Sequence, residues 1–340
     1  MKMKFLSILL LCIVGLFYSG TEADTNGNVY IAGTEYPGDA GIAKFWNNGK
    51  AMNLTDGTKN SDAISIAVSG KDVYVAGHEH IGNYDVATYW KNGKAVRLSA
   101  GTNYSNATAI AVAGTNVYVA GIEYTRIDGK TKYFAKYWKN GVSVNLSDGS
   151  PMSAAWCIAI SGTDVYVAGK VPGANHIDVA KYWKNGVAVN LTDGSRVASA
   201  NSIALAGTEV FVAGYEYNET NIMVAKYWNN GTVVGLTDGT KNAMAHAMAV
   251  SGKDVYVAGY ETNELVKVAK YWLNGTAVNL TDGSKNAEAN SIVVSGSDVY
   301  VTGYENNGTV DVAKYWKNGT AVSITDGSKN ATGNSICVVK

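Results

Sequence analysis

The chain predicts an all-β fold: a seven-bladed β-propeller of four-stranded antiparallel blades, closed by pairing of its N- and C-terminal strands in one blade. Three observations carry this expectation. An aromatic–Trp pair recurs at Phe45/Trp46, Tyr89/Trp90, Tyr137/Trp138, Tyr182/Trp183, Tyr227/Trp228, Tyr271/Trp272 and Tyr315/Trp316, at spacings of 44, 48, 45, 45, 44 and 44 residues. A period of about 40–50 residues matches a four-stranded blade. Two residues after every Trp comes Asn-Gly, from Asn48-Gly49 to Asn318-Gly319, and this dipeptide supplies the positive φ angles of a tight hairpin turn. Finally, the repeats are out of phase with the ends. Near the N-terminus "NGNVYIAG" is a second strand without its first, and the C-terminal "NSICVVK" is a first strand without its second. Joining them completes a blade and leaves no open sheet edge between the termini.

Taken in order, the chain opens with "MKMKFLSILLLCIVGLFYSGTEA", which has Lys2 and Lys4, an apolar run, and Thr21 and Ala23 placed as a cleavage signal. This pattern reads as a signal peptide over residues 1–23, too short for a good membrane span. Cys12 follows three Leu in mid-run rather than a small residue, which argues against a lipid anchor. The propeller is expected over residues 24–340. Its unit is clearest in "NSIVVSGSDVYVTGYENNGTVDVAKYWKNGTAVSITDGSKN". There "SIVVSG", "SDVYVTGYE", "VDVAKYWKNG" and "TAVSITDG" are four strands separated by turn residues. Asp-Gly ends six of the seven repeats, with Ala100 replacing Asp in the second; an Asp bonded to its own backbone explains it. The strands are apolar on both faces, as sheets packed between two neighbours require.

At these residues a resemblance emerges. "NVYVAG", "DVYVAGYE" and "AKYWKNG" resemble the secreted bacterial seven-bladed β-propeller repeat proteins with a YVAG-type second strand, from about Asn28 to Lys340. The Gly-His/Trp-Asp pair of WD40 repeats and the diglycine of kelch repeats are both missing. The resemblance implies a secreted or periplasmic propeller and transfers no catalytic residues.

Composition narrows the function. Lys plus Arg equals Asp plus Glu at 28 each, and no basic run interrupts the repeats, so neither nucleic acid nor an anionic membrane is an expected partner. The seven repeat Trp are expected to fill the space between blades. A recurring Glu (Glu35, Glu79, Glu123, Glu216, Glu261, Glu305) and Lys (Lys44, Lys136, Lys181, Lys226, Lys270, Lys314) read as cross-strand pairs, with Val171 and Thr88 breaking the series. His78-x-His80 puts two imidazoles on one side of a strand, but no third metal ligand is evident. No metal, cofactor or nucleophile motif is expected. Cys157 and Cys337 fall three blades apart and are expected not to pair.

Divergence among repeats is more informative. The residue opening each innermost strand varies: Ile64, Thr108, Trp156, Asn201, His246, Asn290 and Asn334. The second-to-third loops on the same face vary too, whereas the hairpins of the opposite face are nearly uniform. These seven residues are the candidate ligand-binding ring. Trp156, the one Trp of eight outside the repeat register, offers a flat apolar surface. The amides offer donors and acceptors, and His246 adds the side-chain type that titrates nearest neutrality. An exported binding module for an extracellular glycan or protein, monomeric and without a membrane anchor, is the leading reading. A secreted hydrolase or lyase using the same face is the alternative, although His246 is the single titratable member of the ring. A structural or adhesive scaffold with no discrete site is the third.

Overall fold

The computed structural model describes residues 27–173 and 175–340; the leader read at residues 1–23 lies outside the described residues. Every regular element among the described residues is a strand, and the strands form seven four-stranded antiparallel sheets. Blade 1 takes its innermost strand, Asn330–Val339, from the C-terminus. It continues outward through Asn28–Tyr36, Ile42–Asn47 and Lys50–Asn53. Blades 2 to 7 are continuous in sequence, with innermost strands starting at Ser61, Tyr104, Ala154, Ala198, Ala243 and Ala287. Closure runs from Asn28 opposite Val339 to Tyr36 opposite Asn330.

The Asn-Gly hairpins have the left-handed geometry that the dipeptide requires, as at Asn48 (φ 48°) and Gly49 (φ 80°). Asn has a second task that composition does not reveal. Its Oδ1 accepts a hydrogen bond from the backbone N–H of the second strand, for example Asn92 from Val73 at 2.9 Å and Asn274 from Val255 at 2.9 Å. Its Nδ2 donates to the Asp of the neighbouring turn, Asn92 to Asp72 at 2.7 Å and Asn274 to Asp254 at 2.8 Å. Both turns of a blade are thereby stitched together on one face.

The repeat Trp side chains lie between blades, each no more than 2% exposed. Trp272 of blade 6 packs on Phe211 and Ala213 of blade 5, and Trp46 of blade 1 on Val293 and Tyr300 of blade 7. The Glu–Lys pairing also forms: Lys44–Glu35 at 2.8 Å, Lys226–Glu216 and Lys270–Glu261 at 2.6 Å, with Lys136–Glu123 and Lys314–Glu305 in contact. Where the pattern breaks, the neighbours adjust. Glu79, facing Thr88 rather than Lys, reaches Arg97 at 3.6 Å, and burial lowers the pKa of Lys181, which faces Val171 rather than Glu. The closing Asp residues bond to the backbone two residues on, Asp56 from Thr58 N–H at 2.9 Å and Asp282 from Ser284 N–H at 2.8 Å. Cys157 lies in blade 4 and Cys337 in blade 1, and no disulfide joins them.

Candidate functional site

Every innermost strand carries one register shift against its neighbour. The residue skipped is the variable one in each blade: Ile64, Thr108, Trp156, Asn201, His246, Asn290 and Asn334. A β-bulge leaves one residue unpaired and re-aims its side chain, and here all seven line a single central cavity of about 210 Å³. The bulge also explains the Gly of the "YVAG" strand. A Cβ at Gly77 would stand 1.8 Å from the carbonyl oxygen of Asp62, and one at Gly214 1.9 Å from that of Ser199. Only glycine lets the two backbones approach this closely.

The innermost strands present one edge to the channel, and side chains from the preceding blade satisfy it. Asn201 Nδ2 donates to Ala245 O at 2.9 Å, Asn290 Nδ2 to Gly333 O at 3.1 Å, Asn334 Nδ2 to Ala63 O at 2.9 Å, and Thr108 Oγ1 to Ala155 O at 2.8 Å. One position deeper, serines accept from backbone N–H groups of the next blade. Ser65 accepts from Ile110 at 3.2 Å, Ser202 from Met248 at 3.1 Å, Ser291 from Ile336 at 3.3 Å and Ser335 from Ile66 at 3.3 Å. One N–H of each of these amides is therefore engaged in holding the ring, because buried backbone groups demand partners. The amide oxygens of Asn290 and Asn334 remain as acceptors. Trp156 Nε1 is buried with no hydrogen-bond partner.

Above the ring the channel widens into two mouth pockets. One, about 420 Å³, is lined by Tyr36, Asp62, Ile64, His78, Asn106, His246, Asn290, Thr332 and Asn334. The other, about 340 Å³, is lined by Trp156, Lys170, Ser199, Asn201, Tyr215, Met244, His246 and Asn290. Trp156 and His246 thus border both the cavity and the mouth.

The expectation that His246 is the ring's single titratable group holds for the bulge positions but understates the mouth. Asp62 accepts from Tyr36 OH at 3.0 Å and lies 3.5 Å from Nε2 of the buried His78. Across the mouth, Glu288 stands 3.1 Å from His246 Nε2, 2.6 Å from Lys267 Nζ, and accepts from Tyr304 OH at 2.8 Å. Burial pushes the Glu288 carboxyl upward. Hydrogen bonding and attraction from His246, with hydrogen bonds from Lys267 and Tyr304, outweigh it and hold the carboxyl at about 2, against an ordinary 4.5. Burial and then Glu288 push the Tyr304 phenol up, and the same two causes lead in raising Tyr260 to about 12. His80, in contrast, turns to Asp85 at 2.8 Å. Among the described residues no group of three or more His, Cys, Asp or Glu is arranged to hold a metal ion.

These additional residues had a signal. Asp62, Asn106, Ala154, Ser199, Met244, Glu288 and Thr332 all stand two positions before the bulge residue, a second varying column on the same strands. His78, Lys170, Tyr215, Tyr260 and Tyr304 each follow the close-approach glycine of the second strand. Comparing one column of the repeat misses what the adjoining strand brings to the mouth.

No protein-family model matches the chain, and no curated protein does. Solved structures do. A Mycobacterium tuberculosis puromycin-hydrolyzing peptidase aligns with a TM-score of 0.59 at 9% identity, over 86% of this chain and 53% of that one. Pyrococcus horikoshii acylaminoacyl peptidase aligns with 0.55 at 11% identity, over 94% and 52%. This chain therefore spans about half the length of either peptidase. The β-propeller domain of the Trilobed protease from Pyrococcus furiosus, of open velcro topology, aligns with 0.55 at 11% identity, over 89% and 96%. At these identities the likeness is one of fold.

Proposed function

We propose that this protein is an exported binding module that holds an extracellular glycan or protein at the mouth of its central channel. One observation carries the reading: the structurally equivalent bulge positions of the seven blades bear five different residue types, Ile, Thr, Trp, Asn and His, around the mouth. A ring needs an identical side chain at each blade if packing is its sole duty, and the Trp and Asn-Gly positions obey this. The bulge ring does not, and it surrounds a cavity flanked by pockets of 340 and 420 Å³, within the usual range for ligand sites. The leader at residues 1–23 and the resemblance to secreted propeller repeat proteins support an extracellular or periplasmic setting.

The test is capture of ligands on a glycan array and from extracellular protein extracts. Trp156→Ala should weaken the captured interaction by about 1–3 kcal/mol, as loss of an aromatic anchor does. Asn274→Gly, in a hairpin on the opposite face, should leave affinity unchanged. The opposite pattern places the site on the wrong face. A hydrolase is the second reading, favoured by the two carboxylate–imidazole pairs Asp62–His78 and Glu288–His246 at the mouth. Turnover of ester or glycoside substrates that disappears in both His78→Ala and His246→Ala would select it.

A further inference from the structure

From the chemistry left available at the mouth we infer that the ligand is an uncharged, polyhydroxylated one, a neutral saccharide, seated against Trp156 in the pocket between blades 4 and 6. The inference rests on the mouth being the binding site and goes on to name the ligand class.

Charge is the first argument. Lys170, the one cation lining this pocket, is bound to Asp178 at 2.5 Å. Lys267 is bound to Glu288 at 2.6 Å and lies 4.6 Å from the centroid of the Tyr260 ring. Asp62, in the adjoining pocket, is held by Tyr36 and His78. An anionic ligand finds no cation without a partner, and it meets the Asp62 carboxylate in the adjoining pocket. A cationic ligand meets the Lys170 ammonium in the lining of the same pocket. Neutral ligands suffer neither repulsion.

Hydrogen-bond polarity is the second argument. One N–H of each of the Asn201, Asn290 and Asn334 amides is engaged by a backbone carbonyl of the next blade. What remains offers donors and acceptors side by side: the second amide N–H of each Asn, the amide oxygens of Asn290 and Asn334, and the lone pairs of Ser199, whose hydroxyl already donates to Asn201 at 2.8 Å. Each sugar hydroxyl donates as well as accepts, so a polyol matches such a surface.

Shape and apolar area complete the case. Trp156 borders the central cavity and the mouth pocket together, and Tyr215 and Met244 extend the apolar wall. The C–H face of a pyranose covers such a surface while its rim hydroxyls reach the acceptors.

The experiment titrates the purified exported protein with neutral glucan, mannan, xylan and N-acetylglucosamine oligomers. Oligogalacturonates, chitosan oligomers and mixed tryptic peptides serve as the charged and peptide comparators. Calorimetry is read alongside tryptophan fluorescence, to which Trp156 contributes at the mouth while the seven repeat Trp are buried. At least one neutral oligomer should bind at least about tenfold more tightly than every charged or peptide probe, with little dependence on salt. Trp156→Ala should remove at least about tenfold of that affinity, and Trp156→Phe, which keeps a ring in place, should retain most of it. Tighter binding of a charged or peptide probe that still requires Trp156 overturns the saccharide inference and leaves the mouth as the site. Binding that survives Trp156→Ala in a folded protein overturns both. Failure of every neutral oligomer overturns the inference as well.

Discussion

Glu288 shows how a single residue acquires properties that its type does not have. A carboxyl this buried would ordinarily be pushed toward its neutral form. His246, Lys267 and Tyr304 converge on its two oxygens and reverse that tendency, holding the carboxyl at about 2. Its value in the folded protein lies below its ordinary value of 4.5. The stabilisation is therefore complete above about pH 4.5 and is lost as pH falls toward about 2. Between about pH 7 and about pH 3 this group should contribute on the order of 1–2 kcal/mol of acid-induced destabilisation. Glu288→Gln should be less stable than the parent at neutral pH and should lose less on acidification. Denaturant melts at the two pH values check this; parallel losses in both proteins would remove Glu288 from the account. Trp156 is the counterpart among apolar residues. Seven Trp are locked between blades, and the eighth sits on a bulge that turns it toward the channel.

At the scale of one element, the innermost strand and its glycine-bearing neighbour form a matched pair. The bulge pushes a carbonyl toward the second strand, and the absent side chain of glycine admits it. Gly214→Ala would drive a Cβ to 1.9 Å from Ser199 O, a backbone atom that cannot swing aside. Its expected cost is about 2–4 kcal/mol, the scale of a severe core overpacking. Gly38→Ala, where nothing lies within 4 Å of the added carbon, should be close to neutral. Thermal melts of the two variants are the check, and equal midpoints would mean the strands separate there without penalty. The hairpin shows a similar economy of parts. Asn both adopts the left-handed turn and ties it to the adjacent turn, so replacing it by Gly keeps the conformation and loses the ties.

Over the whole molecule, the ring is held by the terminal pairing and by polar stitches from each blade to the next. Removing residues 335–340 would delete the pairing from Asn28 to Ala32, the buried Ile336, Cys337 and Val338, and the Ser335 acceptor for Ile66 N–H. Burial alone puts the loss at about 5 kcal/mol or more, and the exposed edge of the Asn28–Tyr36 strand should drive aggregation. A truncated protein that stays soluble with an unchanged melting temperature would contradict closure through blade 1.

The number of blades, their four strands, the hairpin chemistry and the shared terminal blade were all legible in the order of residues. Each of these rests on local rules repeated seven times: a period, an Asn-Gly turn, an apolar strand. It also singled out Ile64, Thr108, Trp156, Asn201, His246, Asn290 and Asn334, because in a repetitive chain a varying column is visible without any structure. What those residues do was left to the tertiary structure. Asn201, Asn290 and Asn334 look identical in type to free amides, and only the approach of the next blade, 43 to 44 residues on or across the chain ends, engages one N–H of each. Glu288 and His246 come together by the same means, from neighbouring blades, whereas Asp62 and His78 stand directly opposite each other on the first two strands of blade 2. The bulge was illegible for a physical reason too: one unpaired residue changes no composition and no period, yet it decides which side chain faces the channel.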